Sequence, residues 1–326
     1  MIPTPTESPS LFPVRVTAAD PVARDIVRFE LQALDGSALP AFSAGAHIPV
    51  RTPAGMMRQY SLCSTQSDTS RYLIAVKREA TGRGGSSSMV ESVKPGDTLQ
   101  IGAPVNQFPL DDRARSFLLI AGGIGITPML AMALALAEEG SRRFRLVYLT
   151  RDLESTAFVD QLTSPELKAS VTLHQDGGNP DRAFDLWPLL EKPGSMSGQH
   201  VYCCGPSGLM EAVRDMTGHW PSGAVHFESF GVDTAARADD RGFRVACRRS
   251  GVEFDVPVGR SILEVARAQG INIPSSCESG TCGSCRTVLL AGQADHRDLV
   301  LLPEEHASHI MVCVSRARSE RLELEL

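Results

Sequence analysis

Apolar and polar positions alternate in short runs over the first third of the chain. Ile26-Val27-Arg28-Phe29-Glu30-Leu31 and Tyr72-Leu73-Ile74-Ala75-Val76-Lys77 are two such runs, and Pro95-Gly96-Asp97 marks a turn. A period of two suits strands with one buried face, so residues 10–110 are expected to form an antiparallel barrel or sandwich. Past residue 110 the pattern changes. Phe117-Leu118-Leu119-Ile120-Ala121 is apolar without alternation, and glycines and an apolar run to about Glu139 follow it. Further strand-like runs occur near Phe144–Leu149, Val171–His174 and His200–Cys203. Buried strands separated by helices predict a parallel sheet, here an α/β domain over 111–230. Residues 231–240 carry no large apolar side chain except Val232 and read as a linker. Residues 241–326 make a third unit.

Composition narrows the class. Hydrophobic content of 42% and charged content of 21% are ordinary for a folded soluble chain. A net charge of −6 lacks the basic field of a nucleic-acid binder. The stretch from Ser116 to Ala137 is uncharged, but Gly122, Gly123, Gly125 and Pro128 interrupt it. A strand, a turn and a helix explain it better than a membrane span. The N-terminus has neither a basic nor an apolar leader segment, so a cytoplasmic chain is expected. There, clustered cysteines favour metal ligation over disulfides.

The cysteines of the third unit are the most specific signal. Cys277-Glu278-Ser279-Gly280-Thr281-Cys282-Gly283-Ser284-Cys285 has the spacing C-x4-C-x2-C, and Cys313 lies far downstream. This is plant-type [2Fe–2S] spacing. A structural zinc site is the competing reading, but it usually shows two paired knuckles, and only one C-x2-C is present. Gly280 and Gly283 allow the left-handed backbone that turns N–H groups towards sulfur. Cys63 and Cys247 stand alone and read as buried structural cysteines.

Two turns carry nucleotide-binding chemistry. Gly122-Gly123-Ile124-Gly125-Ile126-Thr127-Pro128 joins a strand to a helix, where a pyrophosphate can approach backbone N–H groups. The third glycine of G-x-G-x-x-G is missing, and a tight turn with no ligand remains open. Cys203-Cys204-Gly205-Pro206 lies at another strand end. In the first unit, Arg58-Gln59-Tyr60-Ser61 combines a cation, an aromatic ring and a hydroxyl. Residue type alone leaves these as ordinary strand residues. Gly82-Arg83-Gly84-Gly85-Ser86-Ser87 precedes a short helix expected over Met89–Val93 and makes an anion nest or a surface loop.

Taken in order, these motifs resemble the phthalate dioxygenase reductase family, which includes vanillate demethylase reductases, within the ferredoxin–NADP reductase superfamily. His226-Phe227-Glu228-Ser229-Phe230 completes the match. The resemblance implies a multidomain fold: an antiparallel β-barrel for FMN, a parallel-sheet α/β domain for NADH, and a β-grasp ferredoxin-like domain. It implies that Arg58, Gln59, Tyr60, Ser61, the backbone of Ala75, Val76 and Lys77, and Gly82, Arg83, Gly84, Gly85, Ser86 and Ser87 hold the flavin. Gly123, Gly125, Thr127, Pro128, Cys204, Gly205 and Pro206 would meet the nicotinamide nucleotide. Cys204, Ser61, Glu228 and Phe230 would stand at the hydride-transfer site, and Cys277, Cys282, Cys285 and Cys313 would ligate the cluster. Asp152, after the second strand of the α/β unit, favours NADH over NADPH, whereas Arg151 argues the other way. The implied protein is a monomeric reductase component serving a Rieske non-haem iron oxygenase, without nucleic-acid or membrane partners. An iron–sulfur sensor or carrier without such a partner is the alternative.

Overall fold

The structure is a computed structural model that describes residues 10–80, 84–192, 198–221, 223–231, 237, 239–275, 278–281 and 283–326. Gly82, Arg83, Cys277 and Cys282, and most of the expected linker, lie outside these residues.

The first unit contains β1 (Phe12–Ala23), β2 (Ile26–Ala33), β3 (Ala46–Arg51), β4 (Met57–Ser61), β5 (Tyr72–Lys77), α1 (Gly85–Ser92), β6 (Thr98–Ile101) and β7 (Val105–Asn106). The strands run antiparallel in the order β4-β3-β6-β1-β2-β5, and β7 pairs with β3. Leu62 bridges to Ile74, and Cys63 N–H donates to Leu73 O at 2.9 Å, so the two edge strands meet and close a barrel. Closure removes the exposed edges of the sheet. Val14, Phe29, Ile48, Leu62, Tyr72, Ile74 and Met89 fill its interior. The helix begins at Gly85, earlier than expected, so Gly85, Ser86 and Ser87 belong to its first turn.

The second unit contains β8 (Ser116–Gly122), α2 (Ile126–Glu139), β9 (Arg143–Thr150), α3 (Val159–Leu162), β10 (Val171–Gln175), α4 (Trp187–Leu190), β11 (Gln199–Cys204), α5 (Ser207–Met216) and β12 (Val225–Glu228). Its sheet is parallel throughout, in the order β10-β9-β8-β11-β12. The order reverses between β8 and β11, and ligands of such sheets bind outside the strand ends at that switch point.

One core joins these two units. Leu73 and Ala75, on the outer face of β5, pack with Phe108, with Met129 and Met132 of α2, and with Leu119, Tyr148 and Tyr202 of the sheet. Both faces of β5 are therefore covered, and Tyr72 to Val76 are buried at every position rather than on the one face that a period of two implies. The same packing explains the span-like apolar stretch: α2 is buried on most sides. Among the described residues no helix is long and apolar enough to cross a membrane.

The third unit contains β13 (Phe243–Cys247), β14 (Glu253–Val256), α6 (Ile262–Ala268), β15 (Arg286–Ala291), β16 (Ala294–Asp295), β17 (His309–Met311), β18 (Arg316–Ala317) and β19 (Arg321–Leu324). Its mixed sheet, β14-β13-β19-β15-β17, carries α6 across it in a β-grasp arrangement. Ser261 and Glu264 start α6 by capping each other's backbone N–H, at 3.2 and 2.9 Å. The core of this unit is drawn from its own residues. Asp240, placed in the linker by composition, is instead anchored here. Its carboxylate pairs with Arg297 and lies 3.8 Å from Arg316, and its side chain is 4% exposed.

Arg297 also holds Asp295 at 2.6 Å. Arg297→Met would leave Asp240 and Asp295 short of a partner in a dry site. Breaking a buried pair in this way costs about 3 kcal/mol. Denaturant unfolding followed by cluster absorbance should show the loss in the third unit, and an unchanged midpoint would contradict it.

Candidate functional site

A pocket lies where the three units meet. His47, Arg58, Gln59 and Ser61 of the barrel line one wall, Phe227, Glu228 and Phe230 another, and Ser279 and Thr281 of the cysteine loop a third. β4 ends at Ser61 and β12 ends at Glu228, so both strands deliver their last residues to this point.

On the barrel wall, the Tyr60 hydroxyl is buried without a hydrogen-bond partner. Burial pushes its pKa up. A buried hydroxyl lacking a partner costs about 1–3 kcal/mol, which a polar ring edge placed against it would offset. Gly84 caps α1 in the left-handed conformation, φ +90°, with no side-chain cap on the helix. Beside it, a Cβ on Gly85 would stand 3.0 Å from Arg58 Nε, so the guanidinium lies against the uncapped helix start. An anion suits that place. An orphan hydroxyl, an open helix N-terminus and a guanidinium together fit a flavin with its phosphate. The hydroxyls of Ser86 and Ser87 are engaged elsewhere. Ser86 Oγ accepts from Glu79 N–H at 3.1 Å, and Ser87 Oγ donates to Glu79 O at 3.2 Å. They stitch the loop to the helix, leaving backbone N–H groups for the anion. Ala75 and Val76 are buried on β5, and Lys77 turns outward to Glu79 at 2.9 Å.

The two glycine turns sit side by side at the switch point. A Cβ on Gly125 would collide with the Cys204 carbonyl oxygen, and one on Gly205 would stand 3.0 Å from Gly122 Cα. These glycines are therefore required by the contact of one turn with the other. Gly123 is different: its φ is +53° and the space beside it is open, as a ligand-facing position requires. Thr127 is buried, and its hydroxyl donates to Ile124 O at 3.1 Å, closing the turn. Pro128 is the third residue of α2, and Pro206 precedes α5 as its N-cap. Asp152 has a structural task that its sequence does not reveal. It accepts from Ser155 N–H at 2.8 Å and pairs with Arg24 of the barrel at 3.2 Å.

Cys204 pairs with Glu228 in register across β11 and β12. Its thiol is fully buried, and burial raises its pKa well above the ordinary value. Glu228 is pushed up to about 8 by burial, and Ser61 Oγ donates to it at 3.4 Å across the domain boundary. Phe230 is 42% exposed at the pocket.

In the cysteine loop, Cys285 and Cys313 are buried thiols. Gly280 is left-handed, and a Cβ there would stand 2.8 Å from Val314 Cγ2, next to Cys313. The glycine thus lets the loop close on the distant fourth cysteine, as a thiolate-held cluster requires. Leu299 N–H donates to Gly280 O at 2.9 Å and fixes the loop from outside. Cys63, Cys203 and Cys247 are buried free thiols away from this loop.

Glu278 and Ser279 rim the cysteine loop in the sequence, which suggests contacts for the electron acceptor or solvated loop residues, but Glu278 faces inward. It is buried in the cysteine loop, 3.6 Å from Arg58 of the barrel and 2.6 Å from Arg267 of α6. Its position beside Cys277 is no signal by itself, because the partners come from other elements. At the opposite ends of β11 and β12, Asp111, His200 and His226 form a separate cluster. There Arg113 grips the carboxylate at 2.6 Å, and His200 Nδ1 and His226 Nε2 share a hydrogen bond at 3.0 Å. Those ligand atoms are already engaged with one another.

The geometry brings a closed barrel, a parallel sheet with two facing glycine turns and a cysteine-bearing β-grasp unit to one pocket. Comparison with known proteins places the oxidoreductase FAD-binding domain family over residues 13–109. The oxidoreductase NAD-binding domain family matches 119–215, and the 2Fe-2S iron-sulfur cluster binding domain family matches 245–318. Phthalate dioxygenase reductase of Burkholderia cepacia is 54% identical over 96% of this chain and 97% of its own length. The phthalate 4,5-dioxygenase oxygenase reductase subunit of Pseudomonas putida is 52% identical over 96% of each. A solved structure of phthalate dioxygenase reductase, described as modular for electron transfer from pyridine nucleotides to [2Fe–2S], superposes with a TM-score of 0.90. It is 53% identical and the match covers 97% of this chain and 98% of that one. The chain belongs to the phthalate dioxygenase reductase family.

Glu228 makes stability pH-dependent with a defined sign. Below about pH 4.5 the carboxyl is neutral folded or unfolded, and between there and about 8 only the unfolded chain ionises. Stability is therefore lost as pH rises across that window. Glu228→Gln should remove this loss, so its melting temperature should gain on the wild type from pH 5 to pH 8.5. A constant difference would refute the buried neutral carboxyl.

Proposed function

We propose that this protein is the NADH-dependent reductase component of a Rieske-type oxygenase, passing electrons from NADH through FMN and a [2Fe–2S] cluster to the oxygenase. The observation that carries the reading is a pocket lined by residues of all three units. A bound flavin links a two-electron hydride donor to a one-electron iron–sulfur acceptor, which neither can do alone. One NADH would thus give NAD⁺ and one proton to solvent, while its two electrons would leave singly through the cluster.

The residues supply binding and orientation. Tyr60 and Ser61 face the flavin ring, and Arg58 with the start of α1 holds its phosphate. FMN is favoured over FAD because α1 follows the nest directly and only residues 93–97 separate it from β6, leaving no aromatic insertion for an adenosine. The turns at Gly123 and Cys204–Pro206 present NADH, and the charge of Asp152 disfavours a 2′-phosphate. Phe230 covers the pocket and yields to the nicotinamide. Glu228, protonated at neutral pH, keeps an anion away from the ring and offers a proton donor beside Ser61. Cys277, Cys282, Cys285 and Cys313 ligate the cluster, whose potential in plant-type sites is roughly −400 mV, low enough to reduce a Rieske centre.

Two relatives above 50% identity are named as reductases of phthalate dioxygenases, which favours a phthalate-type oxygenase as acceptor here. The buried thiols of Cys63, Cys203 and Cys247 suit a reducing cytoplasm, and the proposed reductase component acts there as a monomer.

Cys282→Ser should preserve NADH-dependent reduction of a dye that takes electrons at the flavin and abolish transfer to the oxygenase. Oxygenase turnover in that variant would refute the exit route. Cys204→Ala should slow flavin reduction in stopped flow about tenfold while NADH binding holds. Unchanged kinetics would remove Cys204 from the site. A sensor or carrier would consume no NADH at all.

A further inference from the structure

Arg58 stands between two anion sites. Its Nε lies against Gly85 at the open start of α1, where the flavin phosphate is proposed to bind. Its Nη1 donates to Met57 O at 2.7 Å and lies 3.6 Å from Glu278 Oε2 in the cysteine loop. Glu278 is deeply placed: its side chain is 6% exposed, and its other oxygen receives Arg267 Nη1 at 2.6 Å and Ser275 Oγ at 3.1 Å. Its backbone is left-handed at φ +51°, a conformation that a non-glycine residue adopts only when its surroundings impose it. Nearby, Ser279 packs so closely on Gly231 that a Cβ there would stand 2.5 Å from Ser279 Cβ. The loop is thus held to the barrel by the Arg58–Glu278 ion pair and to the chain just after β12 by the close approach of Ser279 to Gly231.

We infer that Glu278 couples the seating of the cluster loop to retention of the flavin phosphate. One guanidinium faces both anions. Two negative groups served by the same cation weaken each other's hold on it, and by linkage the effect is reciprocal. The carboxylate of Glu278 thereby loosens the phosphate, and Arg267 limits that loosening by taking up part of the carboxylate's charge. Glu278 is a positioning residue. It acts on the flavin through Arg58 and on the cluster through the loop backbone. The inference rests on the proposed placement of the flavin phosphate at α1.

The test is the rate of FMN release from the full-length holoenzyme, followed by recovery of flavin fluorescence on dilution, in wild type, Glu278→Gln and Arg267→Gln. Glu278→Gln should release FMN about fivefold more slowly, and stopped flow should show slower reduction of its cluster after flavin reduction. Arg267→Gln leaves more of the carboxylate's charge facing Arg58 and should release FMN faster than wild type. Repeating the measurement with riboflavin, which has no phosphate, should abolish both differences. Equal FMN release in all three proteins would overturn the inference, as would faster release from Glu278→Gln or persistence of the differences with riboflavin. Should Glu278→Gln fail to assemble its cluster, Arg267→Gln alone decides the matter by the direction of its change. A wild-type protein that retains no FMN would instead overturn the flavin reading itself.

Discussion

The apolar contact between the outer face of β5 and the helix α2 governs the architecture. Leu73, Ala75, Phe108, Met129 and Met132 are all buried in it. Each large side chain buried there contributes about 1.5–3 kcal/mol. That sum far exceeds an ion pair at 3.6 Å such as the one between Arg58 of the barrel and Glu278 of the cysteine loop. The barrel and the parallel sheet therefore hold together as one body, and the nucleotide turns stay aligned with the flavin wall. The cluster unit, with a core of its own, takes its position from polar contacts and one close backbone approach.

This division suits the chemistry. Hydride transfer requires the nicotinamide and the flavin ring to be held in near-contact, and a shift of about 1 Å can cost 10²-fold in rate. A shared core gives that precision. The cluster must receive an electron from the pocket and also present itself to a separate protein. Polar contacts, which are weaker and specific in direction, suit a unit with two neighbours. Electrostatics at the pocket follow the same logic. Glu228 is pushed up to about 8 because the apolar surroundings of β12 disfavour its charge, while Glu278 is flanked by two guanidinium groups.

Much of this was legible in residue order. Alternating runs foretold the barrel strands, and Tyr72–Lys77 forms β5 over those residues. Continuous apolar runs foretold β8 to β11, and α2 ends at Glu139 where the apolar run stops. The helix α1 was placed too late, because Gly85, Ser86 and Ser87 have low helix propensity and the packing of Met89 into the barrel overrides it. Asp240 was read as linker because composition registers polarity and not the arginines that reach it from Arg297 and Arg316.

The sequence alone determined the order of the three units, the cysteine spacing and the two glycine turns, because each depends on residues close along the chain. Spacing, period and turn chemistry are local properties. The tertiary structure decided which glycine stands open and which ones press on the neighbouring turn: Gly123 is open, while Gly125 lies against Cys204. It decided that Asp152 caps a turn and binds Arg24, that Ser61 meets Glu228, and that Arg58 meets Glu278. These pairs are separated by more than 100 residues, except for the local cap, and no periodicity links their partners. They form because a shared apolar core and a closed barrel bring together segments that lie far apart along the chain.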